Sequence, residues 1–246
     1  MKNLQTPRGE IGNAATHDLR STRGTDLICF SHLRWDALDA DAQSSLSRWA
    51  KKGSRVFFVQ EPVFDGGMIA SLDLSRGKDA IRVAMPHLPL RFTGRARVET
   101  AMQGLIDDLF ATENIREYAL WYFSPNAFLW TDHLKPLATI YNCADELSAA
   151  DGDASALRDL EAGLIAHADL VFASEAGAYK VKRAQHPQHK GLYALSCGAD
   201  ASSGQARMQM SQLVEQLIDG RHKLTVNTVS SGEVERSHAV GATVAQ

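Results

Sequence analysis

The chain has 246 residues, a formal net charge of −3 and 44% apolar residues. That length supports one large domain, or one domain with appendages, and the apolar share fills a core without help from disulfides. The charge is spread along the chain, so neither a basic nucleic-acid stripe nor an acidic tail stands out.

Cys29, Cys143 and Cys197 are far apart and form no CxxC pair. This argues against a disulfide framework or a zinc site and fits a reducing cytoplasm. No apolar stretch reaches the roughly 20 residues needed to span a bilayer. The opening residues hold no apolar run of signal-peptide type, so a soluble protein is expected.

Met1 to Thr25 reads as a disordered lead-in, without aromatic residues or hydrophobic periodicity. Asp26 to Phe30 is a short continuous apolar run, the pattern of a strand buried on both faces. Leu38 to Lys52 has helical spacing through Ala42, Leu46, Trp49 and Ala50, with Gly53 as a stop. Arg55 to Val59 is β-branched and aromatic, hence a second strand, which Pro62 ends. Met68 to Leu74 and Ile81 to Met85 read as lesser strands, after which Pro86 and Pro89 break the chain.

Arg95 to Thr112 places Val98, Met102, Leu105, Ile106 and Leu109 at helical spacing. Tyr118 to Phe123 and Leu137 to Tyr141 are strands. Ser155 to Ala168 is a helix with Leu157, Leu160, Leu164 and Ile165 on one face. Asp169 to Ala173 is again a strand, Ala176 to Gln185 a short helix, and Gly191 to Leu195 a last strand. Gly204 to Gly220 reads as one more amphipathic helix and Lys223 to Val229 as a strand. Beyond Ser230 the composition is that of a disordered tail.

Strands alternating with helices predict βαβ units: an α/β fold with a mostly parallel sheet and helices on both faces. In such sheets ligands bind outside the carboxyl ends of the strands. That draws attention to Ser31-His32, Gln60-Glu61, Ser124-Pro125, Asn142 to Glu146, Ser174-Glu175 and Cys197 to Asp200.

His32 suits a general base or an anion contact, because its pKa lies near neutrality; a hydrogen bond to a loop carbonyl is the plainer alternative. Asp145 and Glu146 are adjacent carboxylates, so one of them can serve as a base, or both can cap a helix. Trp121-Tyr122-Phe123 suits a core, whereas Trp130, placed in a loop, has a face on which a sugar ring can stack. The sequence has no GxGxxG after the first strand, no GxxxxGK[ST], no GxSxG and no HExxH. These absences count against a dinucleotide oxidoreductase, a P-loop enzyme, an elbow-type hydrolase and a zinc protease.

Five segments in order resemble bacterial glycosyltransferases of the GT-B fold, the group acting on surface and exopolysaccharides. They are Asp26 to Asp36, Arg55 to Pro62, Leu120 to Pro125, Ile140 to Leu147 and Ala168 to Ser174. The resemblance covers residues 25 to 200. It implies a Rossmann-like N-terminal domain that holds a polysaccharide or lipid-linked acceptor, facing a second domain that holds a nucleotide sugar as donor substrate. No bound metal or other cofactor is implied.

By position, Asp145 is the first candidate for the base that deprotonates the acceptor hydroxyl, followed by His32 and Glu146. Ser31, Trp35, Asp36 and Trp130 are the candidate acceptor-binding residues. The Trp35-Asp36 pair lacks the Gln-Arg-Pro-Gln type segment that usually follows it in that family.

The domain boundaries expected are a lead-in over 1–25, the Rossmann-like domain over 26–200, and a helical extension with a flexible tail over 201–246. The stretch after Asp200 is too short for a second nucleotide-binding fold of about 100–150 residues. A truncated transferase is therefore expected, or one completed by a second chain supplying the donor-binding domain. A cytoplasmic protein is expected from the cysteine usage, with peripheral association at the inner face of the membrane as an option, and the charge pattern predicts no nucleic-acid partner. Two other readings stay open: a non-catalytic binding or scaffold protein on a degenerate transferase fold, and a flavodoxin-like α/β enzyme.

Overall fold

The computed structural model describes residues 24–38, 40–143, 154–173, 176–195 and 208–221. Within them the strands are β1 (Asp26–Ser31), β2 (Val56–Gln60), β3 (Val63–Asp65), β4 (Ser71–Arg76), β5 (Arg82–Pro89), β6 (Tyr118–Tyr122), β7 (Ala138–Cys143), β8 (Leu170–Ala173) and β9 (Leu192–Ala194). The helices are α1 (Ala40–Lys51), α2 (Arg95–Thr112), the single turn α3 (Phe128–Thr131), α4 (Ala154–His167), α5 (Ala176–Gln185) and α6 (208–221).

All described strands join one sheet in the order β3-β5-β2-β1-β6-β7-β8-β9, with β4 on the far side of β5. Every pairing is parallel except that of β4 with β5. This is the expected α/β fold with a Rossmann-like, mostly parallel sheet.

The continuous apolar runs in the sequence follow from burial on both faces. Ile28 and Phe30 of β1, Phe57 and Val59 of β2, and Leu120 and Tyr122 of β6 lie on one face. They pack there with Met102, Leu105, Ile106 and Leu109 of α2 and Leu164 and Ile165 of α4. The alternate residues Leu27, Cys29, Val56, Phe58, Ala119 and Trp121 lie on the other face, with Leu46 and Trp49 of α1 and Met210, Val214 and Ile218 of α6. Helix α6 is thus part of the domain core, and Lys52 pairs with its Glu215 at 2.5 Å.

One sequence expectation changes at a proline. The second strand stops at Gln60, ahead of Pro62 as expected, and a separate short strand, β3, follows over Val63 to Asp65 beside the second half of β5. Pro86 does not break the chain, because β5 runs through it to Pro89. Pro86 falls between the β2 pairing, which stops at Ala84, and the β3 pairing, which starts at His87. The ladder on that side makes no demand on an amide there, so a proline is tolerated. Gly191 is fixed by close approach instead, since a Cβ there would lie 2.0 Å from the Asp169 carbonyl oxygen.

Candidate functional site

From β1 the chain steps outward through β2 to β5, then returns to the other side of β1 as β6. The strand order therefore reverses at the β1–β6 junction. A crevice opens outside the carboxyl ends of strands at such a switch point, because the two flanking connections leave in opposite directions. Phe30, Ser31, Val59, Gln60, Glu61 and Ser124 line it from the strand ends, and Met102, Ala127 and Trp130 close it from the helical side. It has room for about 10 Å³ of solvent, close to one water molecule.

The lining is held in place by its own hydrogen bonds. Ser31 Oγ accepts from the Leu33 amide at 3.0 Å. Glu61 Oε1 accepts from Asn126 Nδ2 at 3.2 Å, tying the end of β2 to the turn after β6. Ser124 Oγ caps that turn by accepting from the Asn126 amide. Thr131 Oγ1 donates to the Ala127 carbonyl at 2.7 Å, and the buried Tyr122 hydroxyl lies 2.7 Å from Thr131 Oγ1. Burial, more than the Thr131 contact opposes it, pushes the Tyr122 hydroxyl pKa upward, so it stays protonated and donates to Thr131.

Two residues that line the crevice each carry a buried polar atom with no hydrogen-bond partner among the described residues: Gln60 Oε1, an acceptor, and Trp130 Nε1, a donor. Their residues are 6% and 7% exposed. An unsatisfied buried polar group costs about 1–3 kcal/mol, so two on residues lining one crevice are an unusual expense. Asn142 Oδ1, at the end of β7, is a third unpartnered atom on this edge of the sheet; Trp121, His189 and Ser211 carry others outside the crevice.

The opposite, amino edge is ionically closed. Asp26 at the start of β1 accepts from both sides of the Arg55 fork: from Nε at 2.7 Å on Oδ1, and from Nη2 on Oδ2. Arg55 Nη1 donates to the Glu113 carbonyl at 2.7 Å, and Arg82 pairs with the Glu113 carboxylate. The hydrogen bond to Asp26 is the main cause holding the Arg55 pKa up.

A second buried polar cluster holds the end of β7. Glu161 of α4, 3% exposed, accepts on Oε1 from the Tyr141 hydroxyl at 3.0 Å and from Cys143 Sγ at 3.4 Å. Its Oε2 pairs with Lys182 of α5. Burial first, then the Glu161 charge, pushes the Cys143 thiol up to about 12. No group of three or more His, Cys, Asp or Glu side chains suited to a metal occurs among the described residues.

The sequence candidates divide as follows. Ser31 and Trp130 line the crevice. Trp130 lies in α3 rather than in a loop, because Ser124 and Pro125 start a helical turn that continues to Thr131. His32 is exposed beside the strand end. Trp35 turns to the other face of the sheet, meeting Phe58 edge-on with ring centroids 5.2 Å apart. Asp36 is exposed and lies 3.4 Å from Arg34. Asp145 and Glu146 lie outside the described residues. Sequence reasoning named the Gln60-Glu61 strand end without singling out Gln60, and it passed over Glu161 in the middle of an apolar helix face. The signal for Gln60 was a polar residue ending an otherwise apolar run.

No protein-family model and no curated protein matches the chain. Similarity appears among solved structures. Sucrose-phosphate synthase from Thermosynechococcus elongatus matches with a TM-score of 0.50 at 11% identity, over 72% of this chain and 49% of that one. A shorter chain of the same synthase matches with a TM-score of 0.48 at 12% identity, over 78% of this chain and 99% of that one. The catalytic domain of starch synthase IV from Arabidopsis thaliana, bound to ADP and acarbose, matches with a TM-score of 0.44 at 11% identity, over 70% and 51%. These neighbours are glycosyltransferases of the GT-B fold. At such identities the likeness, carried by the first of them, establishes the fold alone. The chain spans about half the length of the longer synthase structure, 49% of it.

Proposed function

We propose that this chain is the acceptor-side half of a glycosyltransferase-like protein, and that the crevice at the β1–β6 switch point receives an acceptor hydroxyl. The observation that carries the proposal is that Gln60 and Trp130, which line one crevice, each carry a buried unpartnered atom, Oε1 and Nε1. A hydroxyl is the group that satisfies both, donating to the amide oxygen and accepting from the indole N–H. Water fills the same role in a resting site, and an alcohol of a sugar or lipid-linked acceptor displaces it at little enthalpic cost. The fold likeness to sucrose-phosphate synthase supports the transferase side of the reading.

In this reading Asp145 serves as the base that takes the acceptor proton, with His32 or Glu146 as the alternatives. The nucleotide sugar comes from a second domain or chain. Ser31 contributes to the acceptor wall; Trp35, buttressing the opposite face of the sheet, contributes through loop position and not by stacking on a sugar.

Saturation-transfer NMR with a panel of oligosaccharides and polyprenol-linked sugars tests this. Binding that Trp130→Phe and Gln60→Leu both weaken, in variants that melt like the parent, is the expected result. Tight nucleotide-sugar binding with turnover by the isolated chain would overturn the half-transferase reading. The small volume of the crevice, about one water, favours a second reading, a non-catalytic scaffold on a degenerate transferase fold. On that reading Asp145→Asn leaves a cellular phenotype of the gene intact.

A further inference from the structure

The corner of the sheet built by β3, β4 and the end of β5 exposes large apolar side chains that no core claims. Met68 and Ile69, at the turn between β3 and β4, are 74% and 76% exposed, Leu90 in the turn after β5 is 65% exposed, and Phe64 of β3 is 44% exposed. The two turns are bound side by side. The Leu90 amide donates to the Asp65 carbonyl at 2.9 Å, and the Arg91 guanidinium donates to the Met68 carbonyl. The apolar residues thus form one patch, and contiguous exposed apolar surface marks a contact surface.

Directly behind the patch stands uncompensated positive charge. Arg91 and Arg97 both lie over the Phe92 ring, 5.7 Å from its centroid. No ion pair among the described residues neutralises either one, whereas the neighbouring Arg95 is paired with Glu99. Both arginines flank the amino end of α2, whose first turn holds no acidic residue. The helix dipole adds positive potential there, where acidic residues are the stabilising choice.

We propose that this corner docks the protein on an anionic lipid bilayer, with Met68, Ile69 and Leu90 entering the headgroup boundary and Arg91 and Arg97 meeting lipid phosphates. The interface asks for this combination: aliphatic groups a few ångströms deep, with cations at the level of the phosphates. An apolar tip on a tight turn suits a fluid surface better than it suits a partner helix, which needs a groove. The corner also lies at the working edge of the sheet. β3 continues along β5 beyond the end of β2, so a bilayer held there lies on the side of the crevice. The inference stands on the patch and its charge, and is independent of the reaction proposed above.

Co-sedimentation with phosphatidylcholine vesicles, with and without phosphatidylglycerol, tests it on the full chain. Retention on the anionic vesicles only is expected, falling as salt rises. Met68→Ser with Ile69→Ser weakens it at least about tenfold, and Arg91→Gln with Arg97→Gln about twenty-fivefold, at about fivefold per arginine. All four residues are outside the core, so circular dichroism melts of both variants match the parent. No retention, equal retention on neutral vesicles, or retention that the variants leave unchanged overturns the proposal. So does a concentration-dependent dimer abolished by Met68→Ser with Ile69→Ser in the absence of lipid binding, which assigns the patch to a second copy of the chain.

Discussion

Lys182→Met isolates the electrostatics that hold the end of β7. The Glu161 side chain is 4% exposed and that of Lys182 15%. The carboxylate therefore depends on one cation and two neutral donors, Tyr141 and Cys143. Burial is the main cause raising the Tyr141 hydroxyl pKa, and Cys143 and Glu161 add to it, so it remains a neutral donor.

Methionine keeps most of the length and apolar contact of the lysine but removes the charge, leaving an uncompensated buried carboxylate. Breaking such a pair from one side costs about 3–5 kcal/mol. For a domain of this size that corresponds to a fall of roughly 6–20 °C in Tm. Removing both charges, with Glu161→Gln beside Lys182→Met, keeps a carbonyl to accept from Tyr141 and leaves no orphaned ion. The double variant recovers most of the loss, and the cycle yields a coupling energy of at least about 2 kcal/mol. Urea unfolding at pH 7 followed by circular dichroism measures all four proteins. A Lys182→Met loss under about 1 kcal/mol, or simple additivity of the two substitutions, refutes the reasoning.

The thiols give a chemical readout. Burial pushes the Cys29 thiol far up and the Cys143 thiol up to about 12, so both resist iodoacetamide at pH 8 in the native protein and react once urea unfolds it; peptide mapping that finds either labelled natively contradicts this. Asp65 responds to pH. The Gly67 backbone N–H, then His87, hold its carboxyl below the usual aspartate range. Its folded value is lower than its unfolded one, so its contribution is present above about pH 4 and fades as pH falls through the lowered value. Asp65→Asn flattens that acid limb in a plot of urea midpoint against pH, and an identical limb in the variant counts against the assignment. Gly191→Ala forces a methyl against the Asp169 carbonyl and is expected to destabilise by about 1–3 kcal/mol; a midpoint equal to the parent's shows that the close approach is not a constraint.

Much of the fold is legible in the residues because its strands are covered on both faces. Continuous apolar runs such as Leu27 to Phe30 and Val56 to Val59 have no other stable use. The spacing of Met102, Leu105, Ile106 and Leu109 likewise fixes α2, which spans Arg95–Thr112 as its periodicity predicts. Of the strand-end residues that the rule singles out, Ser31, Gln60, Glu61 and Ser124 line one crevice.

What the sequence alone left undecided depends on partners far away in the chain. Pro86 looks like a breaker until β5 is seen to pass between the pairings of β2 and β3. Trp35 and Trp130 look alike as aromatic residues near polar tips, yet one packs on each face of the sheet. Glu161 looks like a solvated helix residue until Tyr141, Cys143 and Lys182 surround it. Local periodicity reports whether a side chain is buried, because burial repeats with the helix or strand period. It carries no record of which distant group meets that side chain, and tertiary packing alone decided that the amide of Gln60 and the indole of Trp130 share one crevice.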